Sequence, residues 1–139
     1  MKHGWEHYEH TADMGIRGFG ATKEEAFEQA ALAMTAITVD LKKINQDEAI
    51  EITCEDSDDE LLFVAWLNKI IYEMATRNML FSKFEVNIDD GRLEGKAWGE
   101  KLDQQRHKPV LEIKGATYSD LKVGQNNDGV WIAQCIIDI

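Results

Sequence analysis

Apolar and polar positions alternate along much of this chain, and two helical stretches interrupt the alternation. Residues 4–9 and 14–20 read as short strands on either side of a loop, His10–Asp13. Thr22 and Glu25 then form a capping box, in which hydroxyl and carboxylate satisfy the free amides of a helix start reciprocally. Behind it Phe27, Ala30, Ala31, Met34 and Ile37 recur at helical spacing and draw one apolar stripe. A strand follows, with Ile50, Ile52 and Cys54 inward and Glu51, Thr53 and Glu55 outward. Ser57 and Glu60 predict a second capping box. The run Leu61 to Leu67 is apolar nearly all round, which predicts that this second helix is the central one, ending near Arg77-Asn78.

The rest of the chain is strand-like. Phe84, Val86 and Ile88 alternate with Glu85, Asn87 and Asp89, Asp90-Gly91 is a hairpin turn signal, and residues 93–98 return. Gly99-Glu100 is expected to leave the sheet, and the polar segment 103–109 to form a loop or single turn. Residues 117–123 and 130–137 predict a last hairpin, joined through Asn126-Asn127-Asp128-Gly129. The order β-β-α-β-α-β-β-β-β predicts an α+β protein, with two helices on one face of a mainly antiparallel β-sheet. Nothing resembling a linker, repeat or low-complexity tract divides the chain, so residues 1–139 are expected to form a single domain.

Composition narrows the function. The 139 residues are 44% hydrophobic and 29% charged, a globular balance. Fifteen basic against 26 acidic residues give a formal net charge of −11. Such a surface repels phosphate backbones, so any service to RNA is expected to run through a basic partner. A local basic patch at Lys101, Arg106, His107, Lys108 and Lys114 is the exception to weigh. Cys54 and Cys135 fall at inward strand positions and read as buried free thiols of a reducing compartment. The start of the chain has no apolar signal segment, and Asn68 and Lys69 interrupt the longest apolar stretch. Together these predict a cytoplasmic protein without a membrane span.

The candidate chemistry lies near the two ends. Asp13 sits in His10-Thr11-Ala12-Asp13-Met14-Gly15, and Asp138 closes the apolar run Ile136-Ile137-Asp138-Ile139. Asp13 could simply shape a turn, and Asp138 could be the wet end of a strand. Brought together with the carboxylate of the last residue they would repel, and a hard divalent cation with its preference for oxygen ligands would relieve them. His10 and His107 could donate hydrogen bonds, ligate or move protons, against the plainer reading of incidental loop histidines. Lys114 could offset the carboxylates or meet a phosphate, or be an ordinary exposed lysine. The acidic run Glu55 to Glu60 lacks the order and glycine of a calcium loop and reads as negative charge at a helix N-terminus. No glycine-rich phosphate loop, nucleophile elbow or HExxH motif is present.

Several segments in order carry a resemblance: Glu9-His10-Thr11-Ala12-Asp13, Ala26 to Met34, Leu80-Phe81-Ser82-Lys83-Phe84, Ala97-Trp98-Gly99-Glu100, Asp103-Gln104-Gln105-Arg106-His107, Ile113 to Tyr118 and Ile137-Asp138-Ile139. Over nearly its whole length the chain resembles the archease family; Gly115 departs, standing where similar chains often carry a bulkier residue. The resemblance implies an accessory protein rather than an enzyme. It implies activation of the GTP-dependent RNA ligase that joins tRNA halves, by promoting transfer of GMP to the ligase's histidine, supporting repeated turnover and broadening nucleotide choice. It also implies a divalent cation, Ca²⁺ with Mg²⁺ or Mn²⁺ as alternatives, held by Asp13, Asp138 and Ile139. His10, His107 and Lys114 lie in the same motifs and are carried as functional contacts. An alternative role is chaperone or specificity modulator of another RNA-modifying enzyme, such as a tRNA methyltransferase. A stand-alone metal-dependent hydrolase is a third reading, which the lack of a nucleophile or base cluster disfavours.

Overall fold

The computed structural model describes residues 2–139; Met1, the first residue of the expected N-terminal segment, lies outside the described residues. The elements in chain order are β1 (Gly4–His10), β2 (Asp13–Gly20), α1 (Lys23–Thr38), a 3₁₀ turn (Leu41–Lys43), β3 (Glu48–Glu55) and α2 (Asp59–Arg77). They continue with β4 (Met79–Asp89), β5 (Arg92–Lys101), α3 (Gln104–His107), β6 (Gly115–Ala116), β7 (Lys122–Gln125) and β8 (Trp131–Asp138). The fold is α+β, helices packed against antiparallel sheets, as the alternation predicted.

The strands divide into two sheets rather than one. The first has the order β1-β2-β8-β6, with β7 pairing β8 beyond β6 on the same side. The second has the order β3-β5-β4. The strand expected at 117–123 is displaced: β6 ends at Ala116 and β7 begins at Lys122, parted by a turn in which Asp120 takes φ 52°. Gly99 and Glu100 stay in β5, paired with Phe81 and Leu80, instead of leaving the sheet.

The first helix starts as its sequence predicts. Thr22 Oγ1 accepts from the Glu25 amide at 3.1 Å, and the Glu25 carboxylate accepts from the Ala21 amide at 2.8 Å. The second starts one residue later than expected. Asp58, not Ser57, is the cap, accepting from the Leu61 amide at 3.0 Å. Nor is α2 the more enclosed helix: α1 buries eight of its 16 residues and α2 six of its 19. The reason is size. Alanines on α1 and glycines on β2 let the two backbones close together, so a β-carbon on Gly18 would lie 2.2 Å from the Ala26 carbonyl oxygen. The bulkier α2 leaves Leu61 in its first turn and Tyr72 further along exposed.

One core joins both sheets and both helices, including Ile16, Phe27, Met34, Phe63, Trp66 and Ile137. Phe27 and Phe63 meet at 5.0 Å between ring centres, and the buried Trp66 indole donates to the Phe27 carbonyl at 3.2 Å. Each such side chain contributes roughly 1.5–3 kcal/mol by burial, and the satisfied indole N–H removes the desolvation cost it would otherwise carry. Cys135 is fully buried and Cys54 half-buried; both thiols are free, and burial raises the pKa of each, to about 12 and about 11. No helix among the described residues is long and apolar enough to cross a membrane.

Candidate metal site

The tip of the β1–β2 hairpin is a two-residue loop, Thr11-Ala12, closed by the pair His10↔Asp13. Thr11 takes φ 52°, a conformation a two-residue hairpin demands, and its hydroxyl donates to the His10 carbonyl at 2.7 Å. From there β2 runs beside β8, and their ladder reaches Met14↔Ile137 at this end of the sheet. One more step in that register sets Asp13 opposite Asp138. On its other side Asp138 pairs with Gly115, and its carbonyl accepts the Lys114 amide at 2.8 Å. One row across the sheet end therefore holds His10, Asp13, Asp138 and Gly115, with Lys114 beside them.

Opposed residues of neighbouring strands share a face. Ala133, Cys135 and Ile137 belong to the core under the helices, so Asp138 lies on the other face, in phase with Gln134 and Ile136. Asp13 shares that face, because Ile16 and Gly18 point toward α1. Asp138 is exposed, Asp13 half-buried, and the Ile139 side chain packs against the core, which anchors the residue next to Asp138. Among the described residues neither aspartate takes part in an ion pair, and Lys114 is exposed and in none either. Two hard carboxylates in register without a cation of the protein's own are chemically suited to a hard divalent ion. No three His, Cys, Asp or Glu side chains among the described residues converge on one point. Main-chain oxygens would have to complete the ligand set, and Ile139 is the nearest source in sequence.

A feature that the sequence did not reveal braces the same face. The Tyr8 hydroxyl donates to Asp120 at 2.8 Å, and Gln134 donates to the same carboxylate and to the Asp120 carbonyl, both at 3.1 Å. Arg17 donates to Gln134 at 2.7 Å and to Glu6 at 3.2 Å, with its guanidinium 4.4 Å from the centre of the Tyr8 ring. Burial first, then the Asp120 hydrogen bond, raises the Tyr8 phenol above its usual range. The ring lies directly over Gly15, where any β-carbon would stand 2.4 Å from it. Only the glycine next but one to Asp13 could have hinted at this seat, since Tyr8 and Asp120 are 112 residues apart.

His107 is elsewhere and is not a surface contact. It is 1% exposed, and both ring nitrogens are engaged. Nδ1 accepts the Asp103 amide at 2.9 Å, which leaves the ring proton on Nε2 to donate to Glu100 at 3.0 Å. Glu100 also accepts from Arg106 at 2.5 Å and from the Asn45 amide at 2.6 Å, and the Arg106 bond is foremost in holding its carboxyl down to about 2. Part of the basic patch is spent in the same way: Arg106 serves Glu100 and the Lys43 carbonyl, and Lys101 donates to the Arg77 carbonyl at 2.7 Å, while Lys108 and Lys114 stay exposed. The acidic run at 55–60 is likewise absorbed by the helix start, with Asp56 bonded to the Asp58 amide, Asp58 the cap, and Glu55 and Asp59 paired with Arg92 and Lys23.

Residues 5–139 match the model of the Archease protein family (MTH1598/TM1083). The chain belongs to the archease family. Among archease relatives, the "Protein archease" of Pyrococcus furiosus is 45% identical, the match covering 97% of this chain and 98% of the relative. That of Sulfurisphaera tokodaii is 39% identical over the same shares. The solution structure of Methanobacterium thermoautotrophicum protein 1598 superposes with a TM-score of 0.84 at 32% identity, covering 98% of this chain and 99% of that one. In this archease the segment Glu9–Asp13 forms the hairpin tip, Ala26–Met34 supplies most of the buried residues of α1, and Ile113–Tyr118 contains β6, which pairs with Asp138.

Proposed function

We propose that this archease is an accessory protein that activates a GTP-dependent tRNA-splicing RNA ligase, promoting its guanylylation and repeated turnover. The observation that carries the reading is the strand register that brings Asp13 and Asp138 from opposite ends of the chain into one row. In this reading Asp13, Asp138 and a main-chain oxygen of Ile139 hold a divalent cation, Ca²⁺ being the first candidate. A bound cation would supply positive charge to phosphate oxygens, which is what phosphoryl transfer most needs. The chain's own part is to bind and orient. Rigid strands fix the two carboxylates, the hairpin tip presents them at one end of the sheet, and a net charge of −11 suits a basic partner surface.

The test is guanylylation of the cognate ligase from GTP under multiple turnover. Wild type is expected to stimulate it, and Asp13→Ala and Asp138→Ala to lose at least about tenfold of that stimulation, ~1.4 kcal/mol. Their melting temperatures in chelator should not fall, because neither aspartate has an ion-pair partner within the described chain. Full stimulation by both variants would refute the carboxylate site, and no stimulation by wild type would refute the activator role.

A further inference from the structure

Between α3 and β6 the chain runs as an irregular strap, residues 108–114. Ile113 packs against the core at its far end, but packing does little to place its middle. Val110 is 75% and Leu111 44% exposed, and behind the strap lies a cavity of about 520 Å³ bordered by Ile71, Met74, Leu80 and Leu102. Hydrogen bonds hold that middle instead. Its middle is tied to the end of α1, where the Val110 amide donates to the Thr38 carbonyl and the Thr38 hydroxyl to the Leu111 carbonyl, both at 2.9 Å. Its far end is the Lys114 amide on Asp138, followed by Gly115↔Asp138. Its near end begins at Lys108, in the left-handed region at φ 49°, directly after the buried His107.

We infer that the cluster of buried Glu100 and His107 with Arg106 over them is a latch that positions Asp138 through this strap. The inference rests on the cation-site reading above. Glu100 gathers three donors from two segments, the Asn45 amide and, on α3, Arg106 and His107, so one carboxylate fixes the last turn before the strap. The Asp103 amide on His107 Nδ1 closes that turn from within. With one end so fixed, the other can hold the main chain of Asp138 in its row, although the latch touches no candidate ligand. Groups that hydrogen-bond a ligand directly commonly contribute ten- to a hundredfold in metal affinity, and a latch acting through the strap is expected at the lower end of that range.

Two variants test the latch. His107→Phe keeps the ring volume and removes both nitrogens; Arg106→Met acts on a part-exposed side chain and carries less risk to folding. Amide hydrogen exchange at Lys114 and Thr117 should quicken in both while α1 and β5 keep their protection, and the affinity for Ca²⁺ alone, by calorimetry, should fall about tenfold. Wild-type exchange at Lys114 in both variants would overturn the latch. Faster exchange with unchanged Ca²⁺ affinity would overturn its link to Asp138. Asp13→Ala is the separate control: Ca²⁺ binding unaffected by it would sink the cation-site reading, whatever exchange says of the strap.

Discussion

Glu100 shows what one buried carboxylate can be asked to do. It lies 8% exposed at the end of β5, and Arg106, the Asn45 amide and His107 depress its pKa from the ordinary value of 4.5 to about 2 despite the cost of burial. A depressed carboxyl stabilises the fold above its unfolded pKa, and that contribution drains away as pH falls from about 4.5 toward about 2. Glu100→Gln should therefore lower the melting temperature at pH 7 and show a smaller deficit against wild type at pH 3, read from thermal melts across that range. An equal deficit at both pH values would mean that Glu100 acts by shape rather than charge. Neither the partners nor the burial of Glu100 could be read from the sequence, because Asn45 lies 55 residues away and His107, read as a loop histidine, belongs to the interior. Asp138 stands out in the sequence because it closes an apolar strand, whereas its place opposite Asp13 follows only from the β2–β8 register.

Local rules carried the elements well and failed where neighbours compete or distant contacts decide. The first capping box, the Asp90-Gly91 turn and the end of α2 at Asn78 stand where their residues predict. Around the second helix Asp56, Ser57 and Asp58 are all capable caps. The choice falls to Asp58 because Asp56 takes the Asp58 amide and turns the chain one residue further. Asp58→Ala is expected to cost about 1 kcal/mol in chemical denaturation and Ser57→Ala clearly less; the reverse order would return the cap to Ser57. The break between β6 and β7 had no local marker at all. Asp120 holds its left-handed conformation with bonds from Tyr8 and Gln134, which reach it only once three strands are in place.

At the scale of the whole molecule, the division into two sheets is a matter of long-range pairing, which alternation along a chain does not encode. Helix α1 bridges the sheets, packing on β2 of the first and β4 of the second, and its closeness to β2 is set by Gly18. A side chain there would meet the Ala26 carbonyl oxygen at 2.2 Å and the Ala30 amide nitrogen at 2.4 Å, both helix backbone that cannot step aside. Gly124 on β7 offers the contrast, with nothing within 4 Å of a β-carbon and no positive φ. Gly18→Val should push α1 off the sheet and cost roughly 3 kcal/mol or more, the upper range for overpacking. Gly124→Ala should leave the unfolding free energy within about 0.5 kcal/mol of wild type. The same comparison bears on function. β2 carries Asp13, and its partner β8 carries Asp138, so a displaced α1 disturbs the row from behind without touching either carboxylate. Gly18→Val protein that still folds should bind Ca²⁺ less tightly than Gly124→Ala. Equal affinity would show that the hairpin tip and the end of β8 hold their geometry without the helix beneath them.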